Sequence, residues 1–131
     1  MYFYPWGDRI RRRTPSGSQF SLYYLTSKVG AGISRLEKEE QISALDYVRL
    51  KERRNPDMAA IRKNRYCFLF NNQYYEVDEF LEPRRRLCLM EVELADENQE
   101  VEIPPFVKVR KEVSDDPRYS NYEIAKIKPR T

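Results

Sequence analysis

"IRKNRYCFLFNNQYYEVDEFLE", residues 61–82, decides how this chain folds. Two runs rich in aromatic and β-branched residues, 59–70 and 73–82, flank Asn71 and Asn72. Asparagine tolerates the positive φ of a tight turn, so the segment reads as an antiparallel hairpin. Side chains alternate along a strand. Lys63 and Arg65 therefore share one face, and Glu76 and Asp78 share one. Tyr66, Phe68 and Val77 fall opposite them.

The same alternation extends outward in both directions. After "PRRR", the run "LCLMEVEL" (87–94) sets Glu91 and Glu93 on one face of a strand. Upstream, "DRIRRR" (8–13) aligns Arg9, Arg11 and Arg13, and "TPSGS" follows as a turn by composition. "QFSLYYLTSK" (19–28) reads as a strand that aligns Tyr24, Thr26 and Lys28. "ISRLEKEEQI" (33–42) fits a strand aligning Arg35, Glu37 and Glu39, and it fits a helix equally well. "SALDYVRLKERR" (43–54) is more helical, with Ser43 as cap and Leu45, Val48 and Leu50 partly on one face. Downstream, "PP" at 104–105 argues against a central strand. "SDDPRYSNYEIAK" reads as a helix start with Asp116 as cap and Pro117 at the first position. The expectation is one domain over 1–131, mainly β (α+β), with about six antiparallel strands and two short helices.

Composition narrows the chemistry. The chain has 131 residues, 40% hydrophobic and 34% charged, with Lys+Arg 24 against Asp+Glu 21. The resulting +3 is less lopsided than a basic nucleic-acid binder would be. No apolar run approaches the roughly 20 residues of a membrane span, and no secretory signal pattern opens the chain. There is no histidine, and Cys67 and Cys88 lack CxxC spacing. Zinc binding and Ser-His or Cys-His catalysis are thereby excluded or disfavoured. Both cysteines lie in apolar strands and read as buried thiols of a reducing compartment, which places the chain in the cytoplasm. Any chemistry falls to carboxylates, Lys, Arg, Tyr and a metal.

The charged strand faces admit two readings. One is an antiparallel sheet with a wet, charged face. The other curls the sheet into a barrel with that face inside, where the charges need each other, a metal or an anionic ligand. Basic residues from several strands hold a polyphosphate in that case, and paired carboxylates hold a divalent cation.

Ordered pieces of the chain resemble the CYTH superfamily, the triphosphate tunnel metalloenzymes. "RIRRR" and "YYLTSK" look like that family's Arg-x-Arg and Thr-x-Lys strands, and "SRLEKEE" like its Arg-x-Glu-x-Glu strand. "IRKNRYCF", "YYEVDEF" and "LMEVEL" look like its Lys-x-Arg, Asp-bearing and Glu-x-Glu strands. "IPPFVKVRKEVSDDPRYSNYEIA" looks like its closing segment. "NRYCFLFNNQYYEVDEF" and "KEVSDDPRYSNY" further resemble the C-terminal CYTH-like domain of the TRPL translocation defect protein and its relatives.

The resemblance implies an antiparallel β-tunnel. Arg9, Arg11, Lys28, Arg35, Lys63, Arg65 and Lys111 would bind phosphate, and Glu37, Glu39, Asp78, Glu91 and Glu93 would lie on the side of Mg²⁺ or Mn²⁺. The family's first-strand signature, Glu-x-Glu-x-Lys, is missing from "MYFYPWGD". The expectation is a tunnel lacking its first strand, part of a larger protein that carries a P-loop nucleotide-binding domain as partner. The leading functional expectation is binding of a triphosphate-containing or polyphosphorylated anion: a nucleotide, inorganic triphosphate or a phosphoinositide headgroup. The alternative is a metal-dependent triphosphate hydrolase. Adenylate cyclase activity and nucleic-acid binding through "RIRRR" and "EPRRR" rank below both.

Overall fold

The computed structural model describes residues 1–29, 36–96 and 98–126. The hairpin forms as its sequence dictates. Asn71 and Asn72 take φ of 46° and 63°, and strands β5 (Arg62–Phe70) and β6 (Gln73–Glu82) pair antiparallel on either side. The register sets Arg65 opposite Asp78. Strand β7 (Cys88–Glu93) adds to β6 with Glu91 opposite Glu76, completing a three-stranded sheet. Lys63, Arg65, Glu76, Asp78, Glu91 and Glu93 thus meet on one face.

The other sheet is a four-stranded meander, β1 (Tyr2–Phe3), β2 (Arg9–Arg13), β3 (Leu22–Val29) and β4 (Leu36–Ile42), in that order. Gly17, at φ 76°, supplies the left-handed residue of the "TPSGS" turn. The segment that fits helix and strand equally is a strand over its described part. Pairing with β3 sets Glu37 opposite Lys28 and Glu39 opposite Thr26, where each carboxylate has a nearby cation.

The two-residue β1 is absent from the sequence-based count, and it joins the sheets. Its Met1 neighbour donates its amine to the Ile61 carbonyl at 2.9 Å and accepts the Ile61 N–H at 3.0 Å. The Asn55 N–H donates to the Phe3 carbonyl at 2.8 Å. Among the described residues the strands form two sheets rather than one closed ring.

Two small cores result. Phe3, Ile61, Phe80, Ile124 and Ala125 are buried together between β1, the second sheet and the C-terminal helix. Tyr4, Ile10 and Tyr47 are buried behind the first sheet, beneath α1 (Ala44–Lys51). Ser43 caps α1 as expected, its side chain accepting from Asp46 N. The inward residues differ from the expectation: Leu45 and Val48 are more than half exposed, and Tyr47 packs on Tyr23 at 4.9 Å between ring centroids. A helix this short presents a narrow stripe, and a large ring fills it with one residue.

The closing segment also breaks up differently. Asp116 caps only a 3₁₀ turn, Pro117–Tyr119, and Ser120 then caps a separate helix α2, Asn121–Ala125. Five residues form no stable helix alone. Burial of Ile124 and Ala125 holds it, and Ala59 N–H anchors to the Ala125 carbonyl at 2.8 Å. Cys67 and Cys88 are both exposed, contrary to the expectation of buried thiols. A three-stranded sheet has too few covering elements to bury both of its faces.

Candidate functional site

The two sheets and the start of α2 enclose a cleft of about 460 Å³. Arg9, Lys28 and Glu37 enter it from the first sheet, Asp78, Leu89 and Glu91 from the second, and Ser120 and Asn121 from the closing segment. Phe3, Phe80, Tyr119 and Tyr122 supply its apolar part. Strand alternation is what gathers these charges, because each contributing strand turns its polar set to the same side.

The charges fall into two kinds. The second sheet holds a saturated cluster. Lys63 Nζ donates to Asp78 Oδ2 at 2.7 Å, and Arg65 donates to both Asp78 oxygens at 2.8 and 2.9 Å. Arg65 also reaches Glu76 at 3.0 Å, and Lys63 reaches Asn121 Oδ1 at 3.2 Å. Burial alone pushes the Asp78 carboxyl upward, but the hydrogen bonds from Arg65 and Lys63 outweigh it and hold the group below its ordinary value. Burial likewise lowers the Lys63 ammonium, and Asp78 only partly offsets this. The bond to Asp78 raises the Arg65 guanidinium.

The first sheet is looser. Arg9 meets Glu37 only at 3.4 to 3.5 Å, and its Nε is buried with no acceptor among the described residues. Arg11 pairs with Glu39 at 3.1 Å, and Thr26 donates to the same carboxylate at 3.3 Å. Lys28 Nζ and the Glu91 carboxylate make no ion pair among the described residues.

Of the residues singled out in the sequence, Arg9, Lys28, Glu37, Asp78 and Glu91 meet at the cleft. Lys63 and Arg65 stand directly behind Asp78. Arg11, Glu39 and Glu93 lie on the same strands but do not line the cleft. Lys111 borders a different hollow, formed by residues 111–118 alone. Arg35 lies outside the described residues. Asn121, Phe3 and the two tyrosines join the site unforeseen, because their placement depends on contacts distant in sequence.

The donor set bears on a divalent cation. Among the described residues no three acidic or thiol side chains converge closely enough to hold a metal by themselves. Mg²⁺ is commonly held by one or two carboxylates together with substrate phosphates. Glu37 and Glu91, both facing the cleft and neither locked in a tight ion pair, fit that second arrangement.

Fold and site together define a mainly β protein whose charges of both signs converge on one cleft. Its sequence is similar to an inorganic triphosphatase of Acetivibrio thermocellus, with 39% identity over 110 residues. The match covers 79% of this chain and 65% of that protein, so the chain spans just under two thirds of its relative's length. No protein-family model matches the chain, and no solved structure matches it. None of the described helices is long and apolar enough to cross a membrane.

Proposed function

We propose that this chain is a CYTH-type domain that binds an inorganic triphosphate-like anion in its cleft and cleaves the phosphoanhydride bond with Mg²⁺ or Mn²⁺. The observation that carries the reading is the unsatisfied first-sheet wall. Among the described residues, Arg9 Nε is buried without an acceptor and the Lys28 ammonium makes no ion pair, while both side chains line the cleft with Glu37 and Glu91. A buried donor without a partner is costly, and a phosphate oxygen satisfies it. The triphosphatase named above supports the choice of substrate class.

In this reading Arg9 and Lys28 bind and orient the phosphate chain. Glu37 and Glu91 would hold the cation, whose role is to neutralise charge on the phosphate oxygens. The Lys63–Asp78–Arg65 cluster acts as a rigid wall, its charges already matched. In the same reading the two sheets would be the walls of a tunnel of the family's type.

A second reading, binding without hydrolysis, is favoured by the lack of a three-carboxylate cluster among the described residues. It also agrees with the resemblance to the TRPL translocation defect subgroup, whose ligands would include nucleotides or a phosphoinositide headgroup. Phosphate release from tripolyphosphate and from ATP, followed with Mg²⁺, with Mn²⁺ and with EDTA, tests the proposal. Metal-dependent release that Arg9→Ala abolishes is the expected result. Tight binding without release establishes the second reading, and neither binding nor release refutes both.

A further inference from the structure

We infer that Asn121 is a neutral phosphate-binding residue of the cleft, and that Lys63 positions it. The inference rests on the proposed binding of a polyphosphate. It begins from the chemistry of the two groups. A lysine ammonium carries only donors, so the Asn121 atom 3.2 Å from Lys63 Nζ is its oxygen. That contact fixes which way the amide is turned. The Nδ2 group, with its two N–H donors, then lies on the other side, and it has no acceptor among the described residues.

Asn121 lines the same cleft as Arg9 and Lys28. Lys63 in turn is held by Asp78 at 2.7 Å and is itself mostly buried, with 12% of its side chain exposed. It is therefore a poor direct phosphate ligand and a good brace. Asp78, Lys63 and Asn121 form a relay of fixed groups that ends in two N–H donors at the cleft. An amide adds hydrogen bonds to a phosphate oxygen without adding charge. Such a donor favours a ligand whose oxygens meet it in a defined geometry, whereas cations alone attract any polyanion.

A purely structural role, in which Asn121 does no more than satisfy Lys63, makes different predictions. Asn121→Ser removes the amide donors, adds no charge and leaves a residue common at helix starts. Asn121→Asp keeps an acceptor for Lys63 and removes the donors. Tripolyphosphate affinity is measured by calorimetry on the full chain, with melting temperature in parallel. We expect Asn121→Ser to weaken binding about tenfold or more, in keeping with the loss of a charge-assisted hydrogen bond. Asn121→Asp should also bind more weakly, and its deficit should persist at about 0.5 M salt, where simple charge repulsion is screened.

A folded Asn121→Ser protein that binds like wild type overturns the inference. If that variant does not fold, an Asn121→Asp deficit that vanishes at high salt overturns it instead. In either of these cases wild-type binding that Arg9→Ala abolishes leaves the underlying reading intact. No tripolyphosphate binding by the wild type refutes that reading and this inference together.

Discussion

Asp78 lies 2.7 Å from Lys63 and 2.8 Å from Arg65, with only 8% of its side chain exposed. One carboxylate bridges two cations, Glu76 adds a second negative charge beside Arg65, and all four side chains come from two adjacent strands. Removing the carboxylate leaves the mostly buried Lys63 without a charged partner and Arg65 with Glu76 alone. Asp78→Ala should therefore destabilise the protein by about 3–5 kcal/mol, the usual cost of breaking a buried pair from one side. Urea denaturation monitored by circular dichroism checks this. A midpoint shift too small to resolve would mean that water reaches the cluster freely.

The same cluster gives a pH dependence with a definite sign. The Asp78 carboxyl is held below its ordinary value of 3.8 in the folded protein. Between the folded and the ordinary value the unfolded chain binds the extra proton, so stability falls as pH falls through that window. The contribution is complete above the ordinary value and lost below the folded one. Urea midpoints between roughly pH 5 and pH 2 should decline more steeply in wild type than in Asp78→Asn, which has no proton to take up there.

Glu91 faces the cleft and makes no ion pair among the described residues. Its charge does not hold the fold together, so Glu91→Gln should leave the melting temperature unchanged or slightly raised. The Mg²⁺-dependent part of tripolyphosphate binding should weaken, and the part measured in EDTA should not. A marked loss of stability in this variant would assign Glu91 to the structure instead.

Asn72 sits at φ 63° in the tight turn of the central hairpin. A β-branched residue pays about 1–2 kcal/mol in that conformation, and glycine none. Asn72→Val should lower the stability by about that amount, while Asn72→Gly should match or exceed wild type in thermal denaturation.

What the sequence revealed, and what it hid, follows from range. The hairpin at Asn71–Asn72 and the polar faces of the strands depend on period-two alternation, which is local, and both formed as expected. The cap at Ser43 is local too. The two-residue strand β1 was hidden, because two residues carry no periodicity and its partners are Ile10, Arg9 and the Ile61 region. Asn121 was hidden because its orientation is set by Lys63, 58 residues away. The cysteines misled, since an apolar neighbourhood in sequence does not supply a covering layer in space.

The reciprocal bonds between Met1 and Ile61 span 60 residues, while each sheet is built from neighbouring strands. Short loops close early and cheaply in folding, and distant pairings come late. Each meander is thus able to assemble on its own schedule, and the cleft exists only after the first residues dock against the second sheet. Detachment of that short segment would dissolve the binding site while both meanders persist. Amide hydrogens of Ile61 and Asn55 should then exchange with solvent sooner than those of β6, so that competence for the ligand is lost by local opening well before the chain as a whole unfolds.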